Sequence, residues 1–386
     1  MGRTFAALSR VSGVRCSGAQ GAARAKRGAS SRERFDPEGR PVSLKSEILE
    51  QPEVLARLLE DQREAIWSVA RAVRVRGCSG VFLAARGSSD NAGLYAKYLW
   101  GAWNRLPVAL AAPSLFTLYA SPPTIKDMLV VGISQSGQSP DIVSVINEGR
   151  TQGALTLAIT NDPKSPIADA AEFVVDTCAG PERAVAATKS YTAQLMVVAM
   201  LSAALEDAPD RLEQLGKVPD LVRDALMEDS VIESLVERYL SMNRCVVLGR
   251  GYNFATAYEW ALKLKELTHV AAEPYSSADF QHGPTAMVSP GFPVLAVAPE
   301  GAIFGDVMSL LKLLVSDQGV ELVVISNREE ALSIASAPLR LPSELPEWLS
   351  PLVSVVPAQL FCYHLTRAKG FDTENPRRLS KVTKTW

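Results

Sequence analysis

The sequence lacks any uninterrupted apolar stretch of the roughly 18 to 20 residues that a membrane-spanning helix requires. The apolar run at residues 106–119 is interrupted by prolines and polar side chains. There are only five cysteines, which are widely scattered and form no C-x-x-C pair. Neither a disulfide framework nor a zinc site is therefore predicted, and we expect a soluble cytoplasmic protein with reduced thiols.

The uneven distribution of charge and the small number of histidines argue against nucleic-acid binding and metal binding. Residues 1–34 hold eight basic side chains and one acidic side chain, so the net charge of −2 leaves the rest of the chain acidic. An acidic body argues against nucleic-acid binding. Three scattered histidines without a carboxylate cluster argue against a metal site, and no cofactor is predicted. We interpret residues 1–42 as a disordered basic extension, although an organelle transit peptide has a similar composition.

What the sequence does contain is one strand-and-turn pattern that occurs twice. The same spacing separates Gly87 from Gly251 and Gly137 from Gly301, and each of these glycines follows an apolar run. A duplication is the simplest explanation. Apolar runs that alternate with helical patterns predict an α/β fold in which helices flank parallel sheets. We therefore expect two domains, residues 43–215 and residues 216–386.

The turn at residues 134–139 is the candidate phosphate site. It offers three hydroxyls at the end of a predicted strand, and a helix is predicted to begin just after it. An ordinary Ser/Gly turn with a capping serine is the alternative. The hydroxyls of Ser88 and Ser89 at the neighbouring strand end favour phosphate. Because the second copy has Ala298, Pro299 and Glu300 at this turn, we expect one ligand per chain.

Other candidate residues lie in the second half and the tail. The spacing of Glu259, Lys263 and Glu266 puts them on one face of a predicted helix, which is typical of solvated ion pairs. That helix begins at the ligand edge of the second sheet, so position alone leaves both interpretations open. His282 lies in a Gly/Pro loop suited to proton transfer, although a lone histidine is more often structural. By composition, Lys381 belongs to a solvated tail.

Several of these segments resemble, in the same order, the isomerase half of glucosamine-6-phosphate synthase. The matching segments are Ser134-Gln135-Ser136-Gly137, Gly180-Pro181-Glu182, Ala187-Thr188-Lys189, Glu259 to Glu266, Gln281-His282-Gly283-Pro284 and Asn375 to Lys381. The resemblance extends from about Glu47 to Lys381. It implies two tandem sugar isomerase (SIS) domains, each a parallel sheet flanked by helices on both faces.

The resemblance also implies a role for each matching residue. The sugar phosphate would be held by Ser89, Ser134, Gln135, Ser136 and Ser139, with Thr188 close by. Glu266 would move the proton between carbons 1 and 2, and His282 would assist ring opening. Lys381 would meet the carbonyl carbon, and Glu259 and Lys263 would line the pocket. In the family the histidine comes from a neighbouring subunit, so a homodimer is implied.

The sequence departs from the synthase at two places. Residue 187 is Ala where the synthase has Ser, and the start Met1-Gly2-Arg3 differs from the Met-Cys-Gly of a glutaminase domain. In this respect the chain resembles the stand-alone two-SIS proteins that act as glucosamine-6-phosphate deaminases, and we expect it to deaminate glucosamine 6-phosphate to fructose 6-phosphate and ammonia. The alternatives are an ammonia-dependent or partner-dependent aminotransferase, another ketosamine or tagatose-type isomerase, and a non-catalytic sugar-phosphate sensor. Sensors of this kind carry a helix-turn-helix domain, which residues 1–42 are too short and too polar to form.

Overall fold

The computed structural model describes residues 34–35 and 41–381, with only the backbone described for residues 34–35 and 41–42. The predicted disordered extension therefore lies outside the described residues, except for two short strands. These strands, β1 (Arg34–Phe35) and β2 (Pro41–Val42), pair antiparallel. No helix in this described part of the chain has both the length and the apolarity to cross a membrane.

Three helices precede the first sheet: α1 (Leu44–Leu49), α2 (Gln51–Asp61) and α3 (Arg63–Arg76). The Ser43 hydroxyl accepts a hydrogen bond from the Ser46 N–H and so caps α1. Pro52 falls in the first turn of α2, where its missing N–H has no partner to lose. The proline that interrupts the predicted helical pattern therefore separates two helices.

The first sheet has five parallel strands in the order β4-β3-β5-β6-β7. Their bounds are β3 (Val81–Ala84), β4 (Val108–Leu110), β5 (Leu129–Ser134), β6 (Leu155–Thr160) and β7 (Phe173–Asp176). Helices cover it: α4 (Ser88–Ala102), α5 (Ser114–Thr117), α6 (Pro140–Thr151), α7 (Pro166–Ala170) and α8 (Lys189–Glu206). Every residue of β3, β5 and β6 is buried, which explains their unbroken apolar runs.

The second sheet repeats this topology. Helices α9 (Pro209–Gly216), α10 (Val218–Leu226) and α11 (Asp229–Leu235) lead into it. Its strands are β8 (Arg244–Gly249), β9 (Ala271–Ser276), β10 (Pro293–Val297), β11 (Glu321–Ser326) and β12 (Ala337–Arg340). They are parallel in the order β9-β8-β10-β11-β12, which is the order of the first sheet, strand for strand. The predicted α/β fold with two parallel sheets is confirmed.

Helices of the second half are α12 (Phe254–Lys263), α13 (Ser277–Gln281), α14 (Phe304–Ser316), α15 (Glu329–Leu332) and α16 (Ser350–Ala368). Because proline usually ends a helix, the sequence pattern predicts that the last helix begins at Ala358, after Pro357. This prediction is wrong. Pro357 lies inside α16. Nearly every side chain from Ser350 to Thr366 is buried, so packing compensates for the backbone hydrogen bond that proline removes.

The two halves share one hydrophobic core. A single cluster of buried side chains contains residues from both sheets, such as Leu129 and Val247, and it includes the fully buried Trp100 and Trp260. Helix α4 of the first half packs against α12 of the second half. This packing brings the end of β3 next to the second half, where Ser88 Oγ donates a hydrogen bond to Glu259.

Candidate active site

A cavity of about 320 Å³ lies at the carboxyl ends of β3 and β5, where open parallel sheets bind ligands. It is lined by Arg86, Gly87, Ser88, Ser89, Ile133, Ser134, Gln135, Ser136, Ser139, Ile142, Val185, Ala187, Lys263, Glu266, Leu379, Ser380 and Lys381. Four parts of the chain thus form its walls: the strand ends and turns of the first sheet, the segment before α8, the segment that begins at the end of α12, and the C-terminal tail.

The turn between β5 and α6 forms one wall of the cavity. Ser134 Oγ accepts a hydrogen bond from the Gly137 N–H at 3.1 Å, and Ser136 Oγ accepts one from the Gln138 N–H at 3.3 Å. Gly137 has a φ of +63°, and a Cβ atom there would lie 2.0 Å from Ser165 Oγ, so only glycine fits. This fixed turn presents hydroxyls at the N-terminus of α6, an arrangement that suits a phosphate.

The corresponding turn in the second half is closed by a side chain of the protein itself. Glu347 Oε2 accepts a hydrogen bond from the Ala302 N–H at 3.0 Å. Its Cδ atom lies 2.2 Å from the position that a Cβ atom on Gly301 would take. Glu300, at the position equivalent to Ser136, pairs with Arg328 at 2.6 Å. A carboxylate therefore occupies the second turn, which supports the expectation of one ligand per chain.

Glu259, Lys263 and Glu266 form a largely buried ion cluster, so the interpretation as a solvated stripe is wrong. Lys263 Nζ lies 2.5 Å from Glu266 Oε2 and 3.4 Å from Glu259 Oε1. The side chains of Glu259 and Lys263 are 0% and 2% exposed, whereas Glu266 is 23% exposed and reaches the cavity. Glu259 also accepts hydrogen bonds from Ser88 Oγ at 2.9 Å and Asn91 Nδ2 at 2.8 Å.

Burial and charge set the ionisation of this cluster. Burial raises the pKa of Glu259, and the Lys263 charge opposes that rise. Burial disfavours the Lys263 ammonium, but Glu259 and Glu266 outweigh it and raise the lysine pKa. Lys263 therefore stays positively charged and neutralises the carboxylate at the cavity wall.

The tail residue Lys381 is held by a buried carboxylate. Lys381 Nζ donates to Glu182 Oε2 at 2.6 Å, and the Glu182 side chain is 0% exposed. Burial acts to raise the pKa of Glu182, but the Lys381 charge and several hydrogen bonds hold it below its usual range. Glu182 therefore stays ionised next to the tail lysine.

Eight of the predicted site residues line one cavity: Ser89, Ser134, Gln135, Ser136, Ser139, Lys263, Glu266 and Lys381. The other three do not line it. Thr188 is buried at the start of α8, and Glu259 lies behind Lys263. His282 is exposed in the loop after α13.

Sequence reasoning missed two charged residues, one that lines the cavity and one that binds a cavity residue. Arg86 lines it, and its Nε donates to the fully buried Asp141 at 2.9 Å, which adds a positive charge beside the hydroxyl turn. Glu182 belongs to one of the segments that resemble the synthase, but the resemblance implied no role for it. The separation of each residue from its partner along the chain hides both pairs from motif analysis.

Fold and site define a tandem α/β protein in which residues of both halves line one polar cavity at the carboxyl ends of β3 and β5. The chain belongs to the SIS domain family, whose sequence pattern matches residues 75–204 and 239–368. SIS domains are sugar-phosphate isomerase domains, and the predicted family is confirmed.

Named relatives and solved structures agree with this assignment. The chain is 35% identical to glutamine–fructose-6-phosphate aminotransferase (isomerizing) of Thermococcus kodakarensis over 89% of its own length and 58% of that protein. It thus spans about three fifths of this relative. The C-terminal domain of glucosamine–fructose-6-phosphate aminotransferase from Francisella tularensis superposes with a TM-score of 0.74 at 27% identity, covering 86% of this chain and 98% of that one. A candidate phosphosugar isomerase from Silicibacter pomeroyi gives 0.77 at 30% identity, covering 86% and 100%.

Proposed function

We propose that the chain interconverts an amino-sugar phosphate and a ketose phosphate, and that it deaminates glucosamine 6-phosphate to fructose 6-phosphate and ammonia. One observation carries this proposal. A single cavity contains a hydroxyl turn at a helix N-terminus, a carboxylate paired with a buried lysine, and a second lysine from the tail. These are the groups needed to hold a phosphate, move a proton and form an imine.

The hydroxyl turn would hold the substrate by its phosphate. Ser134, Ser136 and Ser139 supply hydroxyl donors next to the N-terminus of α6, where the helix dipole favours an anion. Ser89 and Gln135 complete this wall. The sugar carbons then extend toward Glu266 and Lys381 on the opposite walls.

Glu266 would move the proton. Its carboxylate takes the proton from carbon 2 of the open-chain amino aldose and returns it to carbon 1, which leaves a ketose imine at carbon 2. Lys263, 2.5 Å away, keeps the carboxylate in place. His282 would assist ring opening from a neighbouring subunit, in agreement with its exposed position on the described chain. The proposal therefore includes a homodimer.

Lys381 would act at carbon 2. Lys381 gives a proton to the imine nitrogen, and its neutral amine then adds to carbon 2; ammonia leaves, and a protonated lysine imine remains on carbon 2. Water hydrolyses this imine to the ketone of fructose 6-phosphate and returns the protonated lysine. Proton transfer and imine exchange both run in either direction. The hydrolytic direction needs only water, whereas synthesis needs a supply of ammonia, so we assign deamination to these residues acting alone.

A second candidate is fructose-6-phosphate amination, which is favoured by the names of the similar aminotransferases. Purified protein given glucosamine 6-phosphate should release ammonia and fructose 6-phosphate in equal amounts. In separate reactions it receives fructose 6-phosphate with ammonium or with glutamine, and synthesis should be at most slow with ammonium. Efficient synthesis with glutamine would replace deamination by amination. Tight binding of glucosamine 6-phosphate without any turnover would favour a sensor.

A further inference from the structure

Glu182 lies at the junction of the tail, the cavity wall and the start of α8. Its Oε1 accepts hydrogen bonds from the Thr188 and Ser190 N–H groups, both at 3.0 Å. Its Oε2 accepts hydrogen bonds from Ser190 Oγ at 2.8 Å and from Lys381 Nζ at 2.6 Å. Three of these four donors do not depend on the tail, so the carboxylate is fixed before Lys381 reaches it.

The segment that follows Glu182 is held by a second acidic side chain. Glu47 of α1 accepts hydrogen bonds from the Arg183 N–H at 2.5 Å and the Ala184 N–H at 3.3 Å. The loop between these anchors carries Val185 and Ala187, which line the cavity. The anchor of Lys381 thus belongs to the same rigid segment as one wall of the cavity.

We propose that Glu182 is a positioning residue that holds the Lys381 amine at the cavity, so that imine formation depends on this buried carboxylate. This inference rests on the proposed function, because it assigns Lys381 to the reacting carbon. Glu182 is not among the residues that line the cavity. Its effect on turnover therefore passes either through Lys381 or through the wall that carries Val185 and Ala187, and only the first route disappears when Lys381 is replaced.

The chain offers a matched control for this pair. Lys189 Nζ lies 2.6 Å from Glu50 Oε2, and neither residue lines the cavity. Glu182→Gln and Glu50→Gln each replace a carboxylate by an isosteric amide in a lysine pair of the same length. Only Glu182→Gln should lower kcat, by about 10- to 100-fold, because a misplaced amine is the costly defect. KM should change little, since the phosphate turn is untouched.

Reductive trapping measures the position of Lys381 directly. Borohydride is added to protein with fructose 6-phosphate, and mass spectrometry quantifies the adduct on Lys381. The adduct should fall in Glu182→Gln in proportion to kcat and should be unchanged in Glu50→Gln. Lys381→Met combined with Glu182→Gln should be no less active than Lys381→Met alone, because a residue that acts through Lys381 has no further effect. Wild-type turnover and trapping in Glu182→Gln would overturn the inference.

Trypsin cleavage after Arg378 separates this inference from the proposed function. If the wild-type protein forms no adduct and releases no ammonia, the proposed function fails. The positioning role is then tested by the rate at which trypsin cleaves the tail. Cleavage should be faster in Glu182→Gln than in the wild type or Glu50→Gln. Equal cleavage rates in the three proteins would overturn the positioning role. Thermal unfolding of each variant verifies that it is folded.

Discussion

The Ser88 hydroxyl of the first half donates a hydrogen bond to Glu259 of the second half at 2.9 Å. Ser88 lines the cavity, and Glu259 contacts Lys263, which in turn contacts Glu266. A continuous polar path therefore connects the turn after β3 with the carboxylate on the opposite wall. Neither half contains the complete site, although each repeats the same sheet.

Ser136→Ala should weaken substrate binding. The hydroxyl lies in the turn proposed to hold the phosphate, and losing one charge-assisted hydrogen bond should raise KM by a factor equivalent to about 1 to 3 kcal/mol. Steady-state kinetics with glucosamine 6-phosphate measure the effect. Glu300→Ala, at the equivalent position of the second half, is the control and should leave KM unchanged. A larger effect of Glu300→Ala would move the phosphate to the second turn.

Glu266→Gln should abolish exchange of the carbon-2 hydrogen with solvent deuterium, because an amide cannot accept the proton. The variant should still bind the sugar phosphate, since the phosphate turn is unchanged. Proton NMR in deuterium oxide follows the exchange, and calorimetry follows the binding. Exchange at the wild-type rate would contradict the role of Glu266 and make Glu259 the next candidate.

Gly137→Ala should impair both folding and binding. Gly137 and Gly153 both have positive φ, but a Cβ atom on Gly137 would meet Ser165 Oγ at 2.0 Å, whereas one on Gly153 has no atom within 4 Å. Gly153→Ala should lower the free energy of unfolding by about 1 to 2 kcal/mol through strain alone. Gly137→Ala should cost about 1 to 3 kcal/mol more and raise KM. Equal losses in denaturant unfolding would show that the contact with Ser165 is unimportant.

The buried Glu47 should make stability depend on pH. Burial raises its pKa to about 7, and the neighbouring Glu182 contributes to the rise. The folded protein binds this proton more tightly than the unfolded chain does, so protonation of Glu47 stabilises the fold. That stabilisation is lost as the pH rises from about 4.5, the ordinary pKa of the carboxyl group, to about 7, its pKa in the folded protein. Glu47→Gln removes this loss. We therefore compare the free energy of unfolding of the variant with that of the wild type at each pH. The difference in favour of the variant should be about 1 to 3 kcal/mol larger at pH 8 than at pH 5. Parallel stability curves would contradict this expectation.

His282 can be tested by mixing two inactive variants. If the histidine completes the site of a neighbouring subunit, a dimer of one His282→Ala chain and one Glu266→Gln chain has one intact site. Random mixing after mild dissociation should then restore about a quarter of wild-type activity, because half of the dimers are mixed. Recovery of no activity, with mixed dimers confirmed by mass spectrometry, would mean that His282 does not act across subunits.

Much of the fold could be predicted because the central strands are buried on both faces. The short, unbroken apolar runs of β3, β5 and β6 are typical of parallel strands that helices cover on both faces. The edge strands β4 and β7 were not predicted from the sequence, because they are short and only partly buried. The start of α16 was misplaced because a local rule for proline was overridden by tertiary packing.

The candidate site was predicted unevenly for a related reason. The hydroxyl turn and the cluster at Glu266 are contiguous or helically spaced, so the sequence displays them. Lys381 was found only through resemblance, because its partner Glu182 lies 199 positions away. Arg86 and its partner Asp141 lie 55 positions apart, and no local spacing reveals such a pair.

The segment Leu264–Thr268 that carries Glu266 is a π-helix, wound more widely than the α-helix before it. The direction in which Glu266 points is therefore set by an irregular turn as well as by its spacing from Lys263. A design that copied these residues onto a regular α-helix would keep the amino acids but change the direction of the Glu266 side chain relative to Lys263. Insertion or deletion of a residue in this turn would redirect the carboxylate without changing any side chain of the cavity.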